Sequence, residues 1–102
     1  MSGVVNAALL VRVQAQPGKE DEVEQFLRDG LAIVNDEPGT VAWFAVRFGP
    51  SSFGIFDAFP DDAARQTHLG GRLGTALMAR AEELFTEAPT VEPVDVIAHK
   101  LP

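Results

Sequence analysis

Hydrophobic and polar positions divide the chain into segments of two kinds. Four segments have the length and composition of β-strands: 7–15, 41–48, 53–59 and 91–100. Three others have a helical pattern: 19–36, 61–69 and 72–87. The order β-α-β-β-α-α-β predicts a ferredoxin-like α+β fold, in which helices cover one face of a four-stranded antiparallel sheet.

Each strand segment presents two sets of side chains, because successive residues of a strand point to opposite faces of the sheet. One set is apolar or glycine throughout and is expected to pack under the helices: Leu9, Val11, Val13, Phe44, Val46, Phe48, Gly54, Phe56, Ala58, Val94, Val96 and Ala98. The other set mixes charged residues with aliphatic and aromatic ones such as Leu10, Trp43 and Ile55. A face this apolar should not stay in water, so we expect a second copy of the chain to cover it, sheet against sheet.

Such a homodimer would enclose a space between the two sheets. The polar and aromatic residues of the mixed face would line it: Arg12, Trp43, Arg47, Asp57, Asp95 and His99. Two interpretations stay open. Either the charged groups pair with each other or lie at a wet rim, or the space is a ligand cavity with a few polar groups on an apolar wall.

Composition and charge are those of one globular domain over residues 1–102, with 46% hydrophobic and 23% charged residues. A net charge of −7 repels nucleic acid. No apolar run approaches the ~20 residues of a membrane span, and the opening Met1-Ser2-Gly3 does not predict a signal peptide. The absence of cysteine excludes disulfides, thiolate metal sites and cysteine nucleophiles, and it fits the reducing cytoplasm in which we expect the protein.

Other common sites find no support in the sequence. The glycine-rich run 70–74 follows a predicted helix and matches neither the dinucleotide-binding nor the P-loop pattern. The two histidines do not stand at metal-ligand spacing, so no metal site is expected. The serines lie in the N-terminal tail or in a turn, without the context of a nucleophile elbow.

Several short motifs occur in the order and spacing of a known family. They are Pro17-Gly18-Lys19 before an acidic helix, Glu37-Pro38-Gly39-Thr40 before the second strand, Phe56-Asp57-Ala58-Phe59 at the end of the third, Ala63-Ala64-Arg65-Gln66-Thr67-His68-Leu69 after it, and Val94-Asp95-Val96 in the last strand. Over nearly its whole length the chain resembles the antibiotic biosynthesis monooxygenase family, which belongs to the dimeric α+β barrel superfamily.

The resemblance implies a homodimer in which each protomer holds a pocket between sheet and helices. Characterised members oxidise polycyclic phenols or hydroquinones to quinones with O₂, using no metal, flavin or haem. Others bind and degrade haem, and some have no established activity. We therefore expect a cofactor-independent monooxygenase that acts on a phenolic or hydroquinone-type aromatic substrate. The alternatives are a non-catalytic small-molecule-binding barrel protein and a haem-binding member.

Cofactor-free oxygenation needs a base that creates an electron-rich substrate anion, a group that stabilises the oxyanion, and a dry pocket. His68 is the candidate catalytic base, because it titrates near neutral pH and matches the histidine of the family motif. The structural alternative is a histidine that caps its helix or plugs the pocket. Five residues are candidates for substrate binding: Trp43 by stacking, Arg47 and Arg12 by holding an oxyanion, and Asp57 and His99 on the same predicted face.

The haem alternative has less support from the sequence. The haem-degrading members combine an Asn on the first strand, a Trp after the third strand and a His on the next helix. At the latter two positions this chain has His68 and Met78. Asn6 precedes the first strand, where some members place a polar pocket residue, and a turn or capping role is its alternative.

Overall fold

The computed structural model describes residues 3–102, so the expectation for Met1 and Ser2 lies outside the described part of the chain. The elements follow one another as β1 (Ala7–Gln14), α1 (Glu20–Val34), β2 (Ala42–Gly49), β3 (Ser52–Phe59), α2 (Asp62–Leu69), α3 (Arg72–Ala79), α4 (Ala81–Leu84) and β4 (Thr90–Asp95). The strands pair antiparallel in the order β2-β3-β1-β4, which confirms the predicted ferredoxin-like α+β fold. None of the helices in residues 3–102 is long and apolar enough to cross a membrane.

Two elements are much shorter than predicted. The helix predicted over 72–87 is interrupted at Arg80 and ends at Leu84, before Phe85, whose backbone is extended. A bridge between Ala15 and Phe85 holds the chain extended at this point and buries the phenylalanine. The last strand ends at Asp95, opposite Ala7 at the start of β1, and one further backbone hydrogen bond follows, from the Val96 N–H to the Asn6 carbonyl at 3.0 Å.

The predicted assignment of the two sheet faces is wrong for three of the four strands. β1 lies as expected, with Leu9 toward the helices, but Leu9 pairs with Asp57 on β3, and Asp57 pairs with Trp43 on β2. Directly paired residues share a face of the sheet. On β2 and β3 the helices therefore cover the side chains that were expected on the mixed face. Val94 of β4 is reversed in the same way, since it lies opposite Ala8.

We call the side under the helices the covered face: Leu9, Val11, Val13, Trp43, Phe53, Ile55, Asp57 and Phe59. The opposite side is the open face: Leu10, Arg12, Phe44, Val46, Phe48, Phe56 and Val94. Both sets of β3 contain phenylalanine, so hydrophobicity alone does not decide which set points inward. The pairing register with β1 decides it.

The main core lies between the covered face and helices α1, α3 and α4. Val23 and Leu27 of α1 pack there with Leu73, Leu77 and Leu84. Leu31 of α1 and Met78 of α3 are apolar but exposed, at 49% and 59%. On the open face Phe44 and Phe48 are 52% and 47% exposed, so an apolar surface is present there as expected, although different residues form it.

Candidate functional site

A cavity of about 530 Å³ opens on the helical side of the molecule, between the end of α1, the loop before β2 and the α2–α3 junction. Small-molecule sites commonly occupy about 300–1,000 Å³. The wall combines apolar surface with a few ionisable groups, as sites for small organic ligands do. It is formed by Ile33, Asp36, Glu37, Pro38, Gly39, Thr40, Ala64, Thr67, His68, Gly71 and Arg72.

His68 reaches this cavity from the last turn of α2. The helix begins after Asp61, whose carboxylate accepts a hydrogen bond from the Ala64 N–H at 2.9 Å, and it ends at Gly70. These two ends place the imidazole beside the Phe59 ring of the covered face, with the ring centroids 5.2 Å apart. The histidine is buried, with 8% of its surface exposed.

Two carboxylates hold the imidazole, one at each ring nitrogen. Nδ1 lies 2.6 Å from Glu37 Oε1, and Nε2 lies 2.9 Å from Asp57 Oδ2. Asp57 rises from the covered face and is 1% exposed, whereas Glu37 belongs to the cavity wall. We call these three residues the carboxylate–histidine cluster.

The contacts within the cluster favour a charged imidazole. Burial alone opposes the charge, but the close contacts and charges of the Asp57 and Glu37 carboxylates outweigh burial and raise the pKa of His68 above its ordinary value of 6.5. The distances agree with this direction. If either ring nitrogen lacked its proton, its lone pair would face a carboxylate oxygen at 2.6 or 2.9 Å.

Asp57 is less well satisfied than Glu37. Its contact with His68 Nε2 has the length of an ion pair, but within residues 3–102 neither carboxylate oxygen has a donor aligned for a hydrogen bond. The indole Nε1 of Trp43, the residue paired with Asp57 across the sheet, is also buried without a partner in that range. Buried polar groups without partners are uncommon and destabilise a fold, so the buried carboxylate of Asp57 depends on its contact with the His68 imidazole.

Glu37 is positioned by the turn that follows α1. Pro38 and Gly39 occupy the middle of this turn, which is closed by a hydrogen bond from the Thr40 N–H to the Glu37 carbonyl at 3.2 Å. The same turn brings the Thr40 hydroxyl to the Glu37 side chain, where Oγ1 donates to Oε1 at 2.8 Å. The Glu-Pro-Gly-Thr motif therefore delivers to His68 a carboxylate that is already held in place.

Three of the six residues predicted for the site come together. His68 lies on the cavity wall, and Asp57 contacts it from beneath. Trp43 lies next to Asp57 in the sheet and packs against the main core with one edge, which corrects its predicted place on an uncovered face. It does not line the cavity.

The other three predicted residues lie elsewhere, so the expected common lining is wrong. The Arg47 guanidinium pairs with Glu24 of α1, outside the cavity. Arg12 lies on the open face, with its guanidinium carbon 4.3 Å from the centre of the Phe48 ring. His99 follows the last strand and is exposed.

Sequence analysis missed Glu37 and Thr40 as site residues. Both belong to a motif that served only to recognise the family and to mark a turn. The available signal was the combination of an ionisable residue and a hydroxyl residue around a Pro-Gly turn. That signal does not say which distant side chain they meet, and His68 is 31 positions further along the chain.

Comparison with known proteins adds a relative of high similarity. No family model matches the chain, and no curated protein matches it at a significant level. The crystal structure of the NE2512 protein of unknown function, from Nitrosomonas europaea, is 48% identical, with a TM-score of 0.96 over 99% of this chain and 98% of that one. The chain belongs to the same family as the NE2512 protein.

More distant structures share the fold of this chain. A protein from Caulobacter crescentus, named provisionally as an antibiotic biosynthesis monooxygenase, is 20% identical over 93% of this chain and 92% of its own, with a TM-score of 0.78. A protein from Nitrosomonas europaea with the same provisional name is 12% identical over 90% of this chain and 99% of its own, with a TM-score of 0.80. The predicted resemblance is confirmed as an antibiotic biosynthesis monooxygenase-like fold.

Proposed function

We propose that the protein is a cofactor-independent monooxygenase that oxidises a phenolic or hydroquinone-type aromatic substrate with O₂. The observation that carries the proposal is the buried His68, held between Glu37 and Asp57 at the wall of a cavity of about 530 Å³. Buried ionisable groups that share protons beside a cavity are typical of acid–base sites. The provisional names of the structures that share the fold point to the same class of reaction.

The reaction balances without a further reductant. A phenol with a hydrogen on the reacting ring carbon gives up that hydrogen and its hydroxyl proton, together with the electrons of both bonds. One oxygen atom of O₂ becomes the new carbonyl oxygen of the quinone, and the other leaves as water with the two hydrogens. Removal of the hydroxyl proton comes first, because the anion donates an electron to O₂ more readily than the neutral phenol does.

The cavity suits such a substrate. Ile33, Pro38 and Ala64 provide apolar surface for an aromatic body, while Glu37 and Thr40 provide polar atoms for a hydroxyl group. His68 contributes a charged imidazole, which stabilises negative charge at the cavity wall. Because the pKa of His68 is raised, we expect the imidazole to lose its proton at a pH above the ordinary value of 6.5. The rate should fall in the same pH range, as the basic limb of the pH–rate profile.

Oxygen uptake tests the proposal. Wild-type protein is mixed with anthrone or 1,4-dihydroxynaphthalene, and uptake is followed with an oxygen electrode, with ¹⁸O₂ used to detect one labelled oxygen in the product. His68→Gln should lower kcat by about 10²-fold or more. His99→Gln, which changes the exposed histidine instead, is the matched control and should leave the rate unchanged. A His68→Gln protein that folds and retains the full rate contradicts the proposal.

A non-catalytic binding protein is the second candidate, and one observation favours it. Both ring nitrogens of His68 already face carboxylates, as in a cluster that serves only to shape a binding cavity. This candidate predicts saturable binding of the same aromatic compounds with no oxygen uptake above the uncatalysed rate. The same electrode experiment therefore separates the two candidates.

Haem does not fit the residues of this site. The histidine at the cavity has no free ring nitrogen for iron, since Glu37 and Asp57 occupy both, and the other histidine lies on the exposed C-terminal segment. We therefore assign no haem chemistry to the cavity. Addition of haemin with no Soret shift is the expected result.

We also propose that the open face forms a homodimer. Phe44, Phe48 and Phe56 expose 52%, 47% and 37% of their surface on one side of the sheet, and patches of this kind usually mark an interface. A second copy would cover them sheet against sheet and leave the cavity within each protomer. The expected interface buries roughly 1,600 Å² or more, and light scattering should give the dimer mass.

A cytoplasmic location stays a prediction.

A further inference from the structure

We propose, on the basis of the function proposed above, that Glu37 is the residue that contacts the substrate. In this proposal its Oε2 atom accepts the hydrogen bond of the substrate hydroxyl and then takes its proton. His68 and Asp57 are positioning residues that hold Glu37 from behind. The argument rests on which oxygen and nitrogen atoms of the cluster are already occupied.

The two oxygens of Glu37 differ in their surroundings. Oε1 is occupied, because the Thr40 hydroxyl donates to it at 2.8 Å and His68 Nδ1 lies 2.6 Å from it. Among the hydrogen bonds of residues 3–102, none involves Oε2. A charged carboxylate therefore reaches the wall of the cavity with one oxygen free to accept a donor.

Oε2 lies beside a residue that leaves room for a ligand. A β-carbon built on Gly71 would lie 3.5 Å from this oxygen, and both residues belong to the cavity wall. Because the glycine has no side chain, the space beside Oε2 stays open. A hydroxyl oxygen at hydrogen-bond distance requires open space of this kind.

The other members of the cluster are poorly placed to meet a substrate. Each His68 nitrogen already has a carboxylate partner, and Asp57 is 1% exposed beneath the ring. Two more charged residues line the cavity, Asp36 and Arg72, and neither forms an ion pair with the cluster. Glu37 is thus the member of the cluster with a free acceptor atom on the cavity wall.

The proton transfer balances in atoms and charge. The O–H bond of the substrate breaks, its electron pair stays on the substrate oxygen, and the proton bonds to Oε2. The negative charge moves from Glu37 to the substrate oxygen, and Glu37 becomes a neutral carboxylic acid. The charged imidazole of His68 remains next to this acid and stabilises the new anion across it. O₂ is the oxidant that then consumes the anion.

A matched pair of probes tests the contact without catalysis. 1-Naphthol has a hydroxyl donor, and 1-methoxynaphthalene has the same ring without one. Wild-type protein should bind 1-naphthol about tenfold more tightly, as expected for a hydrogen bond to a charged acceptor. Glu37→Gln should abolish this preference, because the amide retains an acceptor toward Thr40 and His68 and turns its NH₂ group to the cavity. Calorimetry measures both affinities.

Two control variants separate the contact from general effects. Asp36→Asn removes one negative charge from the same wall and should retain the preference for 1-naphthol. His99→Gln changes an exposed histidine that does not line the cavity, and it should retain the preference too. If Asp36→Asn abolishes the preference as Glu37→Gln does, the effect comes from the field of the wall, and the proposal is wrong.

A spectroscopic readout covers the case in which Glu37→Gln does not fold. In protein labelled with ¹³C at the glutamate side-chain carboxyls, 1-naphthol should shift one signal that 1-methoxynaphthalene leaves in place. Glu37→Asp identifies this signal by its loss. No shifted signal, or a signal that both probes shift equally, overturns the proposal.

The kinetic consequence distinguishes this proposal from the proposed function. If the wild type takes up oxygen, Glu37→Gln should lower kcat by about 10²-fold, with a smaller change in KM. Uptake at the wild-type rate in folded Glu37→Gln overturns the role of Glu37 and leaves the function standing. A preserved naphthol preference without any oxygen uptake overturns the function and leaves the Glu37 contact standing.

Discussion

The two faces of the sheet contain similar amounts of aromatic surface but differ in polar chemistry. β3 contributes to both faces, with Phe59 fully buried under the helices and Phe56 37% exposed on the other side. The covered face also holds Asp57, buried to 1% exposure, whereas the charged Arg12 of the open face is exposed. A buried carboxylate is stable only with a partner, and α2 supplies one by placing His68 over it.

Dimer contact and ligand binding were both expected on one face of the sheet, and this difference assigns them to opposite faces. The open face has apolar side chains and an arginine over an aromatic ring, which suits contact with a second copy. The covered face has the ionisable cluster and borders the cavity. Proton chemistry is thus expected within each protomer, and dimerisation does not have to supply residues to the cavity.

The largest expected effect compares two neighbours of β2. Trp43→Asp places a charge against the main core and should unfold the protein, because it adds an unpaired charge to a loss of packing of about 3–5 kcal/mol. Phe44→Asp, on the open face, should keep the circular dichroism spectrum of a folded protein and halve the mass measured by light scattering. A Phe44→Asp variant that stays dimeric would show that the interface lies elsewhere.

A milder pair of substitutions on β3 sharpens the same comparison. Phe59→Ala should lower the free energy of unfolding by about 3–5 kcal/mol, because the ring is fully buried. Phe56→Ala should lower it by less than half of that in the dilute protein, and its effect should grow with protein concentration as the dimer forms. Urea unfolding at two concentrations measures both. Equal, concentration-independent losses would contradict the distinction between the faces.

The hydrophobic periodicity and the order of helices and strands were enough to predict the fold. They did not determine which side chains of each strand face the helices. On every strand the set that is apolar or glycine throughout was assigned to the helices, and this assignment was right for β1 alone, with Leu9, Val11 and Val13. On β3 this assignment favoured Gly54, Phe56 and Ala58 over the set that contains Asp57, because the pattern does not show that a carboxylate can be buried against a histidine of another element. Strand register, a property of pairing between distant segments, settled the orientation.

The candidate site was predictable in part for a related reason. His68 stood out because it is one of two histidines and matches a family motif. Glu37 did not, since its role depends on a contact across 31 positions that no local pattern encodes. Arg47 was a plausible anion-binding residue until its partner Glu24, on another element, was known.

The third prediction concerns pH and the covered face. His68→Gln removes an ion pair with two carboxylates, and we expect a loss of about 1.5–3 kcal/mol near pH 6. The folded-state pKa of His68 is raised above the unfolded value of about 6.5. Its contribution is therefore complete below pH 6.5 and is lost as the pH rises through the folded-state pKa.

Urea unfolding of the wild type and His68→Gln at several pH values between 6 and 9 measures this loss. The difference between the two proteins should shrink with rising pH. His99→Gln, which changes an exposed histidine, should show no such trend. A difference that grows with pH would mean that the imidazole is held neutral in the folded protein.

The smallest effect concerns two arginines that lie on opposite faces. The Arg12 guanidinium lies 4.3 Å from the centre of the Phe48 ring on the open face, and an exposed contact of this kind stabilises by about 0.5–1 kcal/mol. A double-mutant cycle of Arg12→Gln with Phe48→Leu should give a coupling of that size in the monomeric Phe44→Asp background. Arg47 precedes Phe48 in the chain but points to the other face, where it lies near Phe53 and Glu24. The cycle of Arg47→Gln with Phe48→Leu should therefore give no coupling, and equal couplings in the two cycles would contradict the assignment of these side chains to separate faces.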